Sequence, residues 1–341
     1  MPCPRIAIIN LWFGNAYPAL FPLWMKSAAY NRQVDFFIFG NVTPGIPTPP
    51  NFHYFPLSLA ELETLARRQL GFPELIIPTP YKICDYKPMF GTIFREYLSR
   101  YDFWGHCDLD MIFGDLSAFL TPEKLAKYDK IYPNGHLSLY RNTPEVNSRW
   151  RLPYGKFALK DILTMPVNFA FDEWDGIYHI YRKCGFPFYR EVEFAEPVAN
   201  FPRFRLIPQR SNPKYERRPQ DYREQLFYWE EGKICRAYCT GEETPAAEEF
   251  AYIHFQSWRF ADIPPEMLAA GRLFFTRNGF QVKPAAGLPS RETINMLNPP
   301  CPPQLEELIF WWRKKQRRLQ KMITGQSTFA DKKLKVRTWR S

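Results

Sequence analysis

The chain has 341 residues, of which 45% are hydrophobic and 17% aromatic, and this composition excludes a wholly disordered protein. Its net charge of +10 suits anionic membranes or phosphorylated substrates, whereas no zinc-finger or RNP-like pattern points to nucleic acid. No apolar run reaches transmembrane length, and the 7 cysteines show no repeated spacing, which indicates reduced thiols in a cytoplasmic protein.

The first third of the chain alternates between strand-like and helix-like segments. Predicted strands lie at 5–11, 34–40, 52–56 and 101–107, and predicted helices at 17–31, 58–70 and about 91–100. Strands separated by helices in this order predict βαβ units and therefore an α/β fold. The start of the chain is interpreted as the first strand rather than a signal peptide.

The turn after the first predicted strand is a candidate for ligand contact. It contains Phe13 and Gly14, and a glycine lets a ligand approach the backbone closely. There is no G-x-G-x-x-G pattern, so a dinucleotide is not predicted.

The fourth predicted strand ends in Asp108-Leu109-Asp110. Because side chains alternate along a strand, both carboxylates are expected to point the same way, with Leu109 opposite. Like charges this close favour a bound cation, and oxygen ligands suit Mg²⁺ or Mn²⁺ shared with substrate phosphates. The sequence therefore predicts a metal–diphosphate site at the carboxyl end of a central strand.

Three further elements and a tail complete the predicted organisation. Residues 131–141 predict a turn and a strand, 227–238 a hairpin turning near Glu231-Gly232, and 250–258 a final strand. We expect one domain over 1–300 and a basic amphipathic tail over 301–341.

The tail predicts a helix over 305–322, with acids first and bases last, as the helix dipole favours. Two interpretations stay open. The helix packs on the domain and keeps a solvated basic face. Alternatively it is a peripheral membrane foot, with Trp311 and Trp312 in the interface and residues 313–321 on anionic headgroups.

Four blocks in fixed order carry a family resemblance: KICDYKPMFG, YDFWGHCDLDMIFGDL, NFAFDEWDG and YIHFQ. Together they resemble a family of bacterial GT-A-type glycosyltransferases of capsule and cell-surface polysaccharide synthesis. The resemblance spans roughly residues 5–260 and leaves the tail out. It implies a Rossmann-like GT-A domain with a mixed central sheet that binds a nucleotide sugar.

The resemblance also implies a metal site. Asp108 and Asp110 would bind Mn²⁺ (or Mg²⁺), and His254 would add a ligand, because imidazole suits Mn²⁺ better than Mg²⁺. The alternative for His254 is a hydrogen bond to a backbone carbonyl of the sheet. In that family basic residues follow the glutamine that corresponds to Gln256, and here Arg259 would make the phosphate contact in their place.

Three charged residues precede a predicted helix start, where anions bind well. Lys87, and more weakly Lys82, are candidates for a phosphate contact, and Asp85 for a contact with ribose or uracil. The alternative for each lysine is a solvated surface charge.

An acidic cluster provides candidates for a catalytic base, which inverting transferases need to deprotonate the acceptor hydroxyl. Asp172 and Glu173 lie between Phe171 and Trp174, an apolar setting that raises a carboxyl pKa, and Trp174 could stack on a sugar. The alternative is that both acids open a helix over 176–183. The sequence does not separate Asp172 from Glu173.

Three neighbours of these candidates are expected to have structural roles, and a fourth, His136, has two possible roles. His106 and Cys107 are interpreted as packing groups and Asp115 as a turn or cap residue. For His136 two roles stay open, lining the acceptor side or a structural hydrogen bond.

These expectations define one function and one alternative. The first is a metal-dependent transfer of a hexose from a nucleotide sugar, such as a UDP-sugar, to a glycan or lipid-linked acceptor. It would occur in the cytoplasm or peripherally on the inner face of the cytoplasmic membrane. The alternative is a catalytically inactive nucleotide-sugar-binding or membrane-scaffold protein with the same fold.

Overall fold

A computed structural model of the chain describes residues 4–206, 219–241, 244–256 and 258–323. The described residues form the strands β1 Ile6–Trp12, β2 Val34–Gly40, β3 Phe52–Pro56, β4 Phe103–Cys107, β5 Met111–Phe113, β6 Lys130–Asn134, β7 Leu137–Arg141, β8 Phe188–Tyr189, β9 Phe194–Ala195, β10 Glu224–Glu230, β11 Lys233–Cys239, β12 Ala246–Phe250, β13 Tyr252–His254, β14 Arg272–Thr276 and β15 Gly279–Val282. Their helices are α1 Phe21–Ala29, α2 Leu59–Leu70, α3 Phe90–Ile93, α4 Arg95–Leu98, α5 Pro122–Lys127, α6 Pro144–Ser148, α7 Leu159–Thr164, α8 Ile177–Cys184, α9 Pro265–Ala269, α10 Arg291–Leu297 and α11 Pro303–Ile323.

The central sheet is mixed, with strand order β3-β2-β1-β4-β7-β6-β8. Strands β3, β2, β1 and β4 are parallel, β7 is antiparallel to β4, and β6 is antiparallel to β7. The α/β class and the mixed sheet are therefore confirmed. The chain leaves β1 toward β2 and β3 on one side and later returns to place β4 on the other. The strand order thus reverses between β1 and β4, the kind of point where open α/β sheets bind ligands.

Local signals explain several of these elements. Ser58 caps α2 by accepting a hydrogen bond from the Glu61 backbone at 3.2 Å, and the Glu61 carboxylate accepts from the Ser58 backbone at 2.7 Å. Gly71 ends the helix with φ of 73°. The predicted capping box is confirmed, as is the hairpin turn at Glu231 and Gly232, where both φ angles are positive.

Two smaller sheets lie beside the central one. A five-stranded antiparallel sheet has the order β12-β11-β10-β14-β15, and a three-stranded sheet has the order β5-β13-β9. The expected final strand over 250–258 is wrong, because only 252–254 pair in β13 and two further strands, β14 and β15, follow. Within the five-stranded sheet, β10–β11, β11–β12 and β14–β15 join consecutive strands, whereas β10–β14 joins segments about 45 residues apart in the chain, a pairing that the local pattern could not reveal.

Two helix predictions also need correction. The helix expected over 17–31 begins only at Phe21, because the chain first turns through Pro18. The helix expected over 91–100 is instead the two short helices α3 and α4, which meet at Phe94, where ψ of 22° leaves the helical region.

The first half of α11 lies against the body of the protein. Glu306 forms ion pairs with Arg203 and Arg205, and the Phe310 ring stacks on Phe201 at 4.6 Å between centroids. Arg313 donates to the Phe201 carbonyl at 2.8 Å. Among the described helices, none is both long and apolar enough to cross a bilayer. Residues 324–341 of the predicted tail lie outside the described part of the chain.

Candidate metal centre

The turn between β4 and β5 carries the two predicted metal ligands. The Asp108 backbone donates to the His136 carbonyl at 2.9 Å, and the Trp24 indole donates to the Asp108 carbonyl at 3.0 Å. Asp110 is anchored likewise, because its carbonyl accepts from the Phe255 backbone at 2.8 Å. The bond from Phe255, which directly follows β13, ties the turn to the strand that carries His254. The pair thus sits in a braced turn just beyond the central strand rather than within it.

Asp108, Asp110 and His254 come together as predicted. Each offers one ligand atom, and these atoms lie within 4.8 Å of one another. The Nε2 atom of His254 is 3.4 Å from Oδ1 of Asp110. The His254 side chain is 5% exposed, whereas that of Asp108 is 35% exposed and that of Asp110 is 43% exposed. The carboxylates thus face outward over a buried imidazole.

The charges of this cluster fit a cation. Burial disfavours charge on His254, but hydrogen bonds to Asp110 and Glu196 outweigh it and raise its pKa to about 10. Burial likewise opposes ionisation of Asp110, yet the His254 cation holds the pKa of Asp110 below its usual value. Without metal, the His254 imidazolium compensates the negative charge of the neighbouring carboxylates. Two carboxylates and one imidazole are a donor set that suits Mn²⁺ better than Mg²⁺.

Lys87 connects the metal ligands to the acidic cluster. Its Nζ lies 2.7 Å from Oδ1 of Asp108, 2.9 Å from the Gly135 carbonyl and 3.4 Å from Oδ2 of Asp172. Burial alone would lower the lysine pKa, but Asp108 and Asp172 are among the groups that raise it well above the usual value. Lys87 is therefore a fixed cation that two predicted site residues share.

Asp172 is the buried member of the acidic cluster. Burial raises its pKa to about 8, although Lys87 opposes that shift. A Cβ on Gly135 would lie 2.3 Å from Oδ2 of Asp172, so only glycine fits there. The predicted helix-cap role is wrong: α8 begins after Gly176 without a side-chain cap. Glu173 is only partly buried, and its backbone supports the first turn of α8 by accepting from Tyr178 at 3.3 Å.

Asp85 and Lys82 occupy the interior rather than the site surface. Both side chains are 0% exposed and they pair at 2.8 Å. Asp85 also accepts from the backbones of Phe169 and Phe171 at 3.0 Å, and Lys82 donates to the Val167 carbonyl at 2.7 Å. The expectation that Asp85 meets ribose or uracil is wrong for this structure, because its oxygens face these internal donors. Lys82 is equally enclosed, so it is neither the phosphate ligand nor the solvated charge that were expected.

The turn after β1 lies at the same edge of the sheet as the metal ligands, because β1 and β4 are parallel neighbours. Gly14 is held by Asn41, which accepts from its backbone at 3.0 Å and donates to its carbonyl at 3.1 Å. Phe13 packs partly against the core. The two residues therefore border the point where the strand order reverses.

His106, Cys107 and Asp115 have the structural roles expected of them, whereas the expected ligand contacts of Trp174 and Arg259 stay predictions. His106 is fully buried, and Cys107 donates to Asn10 at 3.1 Å. Asp115 accepts from the Ser117 backbone at 3.0 Å and caps a short 3-10 turn. Trp174 packs partly against the core, 5.4 Å from the Tyr178 ring. Arg259 is exposed and follows Ser257, which lies outside the described residues.

Sequence reasoning missed Glu196. This residue follows β9, and its Oε1 lies 3.2 Å from Nδ1 of His254 and 3.3 Å from Nε2 of His136. The imidazole rings of His136 and His254 stack at 4.2 Å between centroids. His136, Glu196 and His254 thus form a second cluster of ligand-type atoms within 4.8 Å of one another. The signal was weak, since Glu196 is one acid in a proline-rich segment with only two-residue strands.

Fold and site together define an α/β protein with a candidate divalent-metal centre at the switch point of a mixed sheet. The chain belongs to a family of unknown function, DUF6625, whose model matches residues 8–283. That match includes every metal-site and acidic-cluster residue described above. A comparison with curated proteins found no significant match.

Proposed function

We propose that the protein is a metal-dependent glycosyltransferase that uses a nucleotide sugar. One observation carries the proposal: Asp108, Asp110 and His254 gather beside the switch point, with Asp172 linked to them through Lys87. Crevices at this position of open α/β sheets bind nucleotides, and an oxygen-rich cation site suits a diphosphate. The resemblance of the four sequence blocks to GT-A enzymes supports the same reaction class.

Each residue has a defined task in this proposal. Asp108, Asp110 and His254 would hold Mn²⁺ or Mg²⁺, which supplies charge neutralisation for a departing nucleoside diphosphate. Phe13 and Gly14 would border the nucleotide. Lys87 keeps Asp108 oriented and lies close enough to Asp172 to favour its ionised form.

Asp172 is a better candidate for the catalytic base than Glu173. A general base works best when its pKa lies near the operating pH, and burial brings the pKa of Asp172 to about 8. Lys87 also fixes its carboxylate at the edge of the metal centre. Glu173 keeps a supporting role through its backbone bond to Tyr178.

The first test measures thermal unfolding with UDP-, GDP- and CMP-sugars, each with Mn²⁺ and with EDTA. A ligand at a hundred-fold excess over its Kd stabilises the folded state by about 2.7 kcal/mol. We expect a metal-dependent shift with one nucleotide class, a UDP-sugar first, and metal-dependent release of the nucleoside diphosphate. Galactose and glucose are the sugars to try first.

The matched variants are Asp110→Asn and Asp115→Asn. The first should abolish both the shift and turnover with little loss of stability, whereas Asp115→Asn changes a nearby turn cap outside the site and should leave both intact. Absence of a shift with every nucleotide sugar would overturn the proposal. A shift without turnover would favour the alternative, an inactive nucleotide-sugar-binding protein.

The exposed face of α11 favours a membrane-bound or lipid-linked acceptor. Five large apolar side chains on this helix are 45–67% exposed: Leu305, Leu308, Trp311, Trp312 and Leu319. At 100° per residue, Leu308 and Trp312 lie opposite Glu306, which is buried against the body. Lys314 and Arg318 are exposed beside this apolar face, and Lys315 is exposed within it, one turn after Trp311 and Trp312. An amphipathic helix of this kind binds in the interface of an anionic bilayer.

The membrane test uses vesicles with and without anionic lipid. Trp311→Ser with Trp312→Ser should release the protein from anionic vesicles. This pair is preferable to deleting 305–341, because the deletion would also remove Glu306 from its arginine partners. Unchanged binding by the double variant, or equal binding to neutral vesicles, would contradict a peripheral position on the inner membrane face.

A further inference from the structure

Strand pairing brings Glu196 next to His254. β9 and β13 are parallel, with Phe194 opposite Tyr252 and Ala195 opposite Ile253. The next residues along the two strands are Glu196 and His254, so their side chains meet at the strand ends, 3.2 Å apart. The contact is thus set by the register of the sheet.

The direction of this hydrogen bond selects one form of the imidazole. A carboxylate only accepts, so Nδ1 of His254 must donate its hydrogen to Glu196. The other nitrogen, Nε2, then faces Asp110 at 3.4 Å. When His254 is neutral, its lone pair is therefore on the nitrogen that faces the carboxylate pair, which is the form that a metal requires.

His136 holds Glu196 from the other side. Its Nε2 lies 3.3 Å from the same oxygen of Glu196, and its Nδ1 lies 3.1 Å from the Tyr252 hydroxyl. The Glu196 side chain is only 11% exposed. A chain of hydrogen bonds and ion-pair contacts thus runs from the buried Tyr252 through His136, Glu196 and His254 to the partly exposed Asp110.

We propose that Glu196 is a positioning residue that orients His254 as a nitrogen ligand and thereby gives the centre its preference for Mn²⁺ over Mg²⁺. The inference rests on the metal centre of the proposed function and adds a residue and a selectivity to it. Carboxylate partners of metal-bound histidines fix the tautomer and ring orientation of the ligand. Mg²⁺ relies on oxygen ligands, so it gains little from a well-oriented imidazole.

The experiment titrates Mn²⁺ and Mg²⁺ into the full chain without nucleotide, following free Mn²⁺ by electron paramagnetic resonance. Loss of such a partner typically weakens metal binding about 10–100-fold, and we expect this range for Mn²⁺ with Glu196→Ala. The Mg²⁺ affinity should fall less, so that the Mn²⁺/Mg²⁺ preference narrows. Pulsed measurements should show nitrogen coupling to Mn²⁺ in the wild type, none in His254→Ala and a weakened coupling in Glu196→Ala.

Two variants separate positioning from general damage. Glu196→Gln keeps an oxygen that accepts from Nδ1, so its Mn²⁺ affinity should lie between those of the wild type and Glu196→Ala, even if the alanine variant folds poorly. Glu193→Gln changes a nearby acid that contacts Lys124 and Tyr132, and it should bind Mn²⁺ like the wild type.

The outcomes distinguish this inference from the proposed function. Wild-type Mn²⁺ affinity and nitrogen coupling in Glu196→Ala would overturn the role of Glu196 alone. Failure of the wild-type chain to bind Mn²⁺ would overturn the metal centre and this inference together.

Discussion

Two lysine–aspartate pairs, whose lysines lie in one short segment, have the same chemistry but different surroundings. Lys82 and Asp85 pair at 2.8 Å with both side chains 0% exposed. Lys87 and Asp108 pair at 2.7 Å, with 10% and 35% of their side chains exposed. The first pair also binds backbone groups of residues 167–171, whereas the second faces the candidate metal centre. Burial and internal partners, rather than residue type, separate the structural pair from the pair at the candidate site.

The interior pair nevertheless serves the site indirectly. Asp85 accepts from Phe169 and Phe171, and the residue after Phe171 is Asp172. Lys82 donates to Val167 at the other end of the same loop. The pair therefore fixes the loop that delivers Asp172 to Lys87. The backbone of residues 167–172 thus connects the interior pair Lys82–Asp85 to Asp172.

The largest expected effect comes from breaking the interior pair. Lys82→Met leaves Asp85 buried without its cation, and removing one partner of a buried pair costs about 3–5 kcal/mol. Urea unfolding at neutral pH measures this free energy. Lys82→Met combined with Asp85→Asn should recover part of the loss, because no buried charge remains. A loss below about 1 kcal/mol would place the pair with surface ion pairs and remove the contrast.

The same contrast shows what sequence could predict. Asp108, Asp110 and His254 were predictable because a strand-like run, a short spacing and a family resemblance pointed to them. The assignments of Asp85 and Lys82 to the nucleotide failed because burial depends on the distant loop 167–171, which no local pattern reports. Lys82 and Lys87 precede the same predicted helix start, and the sequence favoured Lys87 for the phosphate contact without showing that Lys82 is enclosed.

The Glu196–His254 contact and the β10–β14 pairing were beyond prediction for a related reason. Glu196 meets His254 through β9 and β13, which are very short and 58 residues apart at this contact. Periodicity needs four or more residues to indicate a strand. The capping box of α2 and the turn at Glu231-Gly232, by contrast, are local and were predicted correctly. The order of the parallel strands in the central sheet could be determined only from the structure.

The second test uses pH to examine Asp172, which the outer pair adjoins. Its folded-state pKa is about 8, against about 3.9 for an unfolded aspartate, so folding takes up a proton between these values. Stability from this group is therefore lost as pH rises toward 8, by at most about 1.4 kcal/mol per pH unit. Asp172→Asn cannot ionise and should lack this slope.

Urea unfolding in EDTA at pH 5, 6.5 and 8 would measure the difference. The variant should gain stability relative to the wild type as pH rises. Glu173→Gln retains Asp172 but removes a neighbouring charge that raises its pKa, so the pH dependence should remain and move toward lower pH. Parallel curves for the wild type and Asp172→Asn would contradict a buried, proton-binding carboxyl. If Asp172 is the base, wild-type kcat/KM should rise with pH through the same range.

The smallest effect on stability is expected from Lys87→Met, which is matched in shape to Lys82→Met. Asp108 is partly exposed and can be rehydrated, and the buried Asp172, whose pKa is about 8, can take up a proton. The loss should therefore be about 1–3 kcal/mol, the cost of leaving buried hydrogen-bond partners unpaired. Mn²⁺ affinity, measured by calorimetry, should rise, because the ammonium that competes for Oδ1 of Asp108 and repels a cation is gone. Turnover should fall, because Asp172 loses the charge that favours its ionised form. Suppose instead that Lys87→Met lowers the free energy of unfolding as much as Lys82→Met does and leaves the Mn²⁺ affinity unchanged. Lys87 and Asp108 would then form a second interior ion pair, and Lys87 would have no influence on the metal centre.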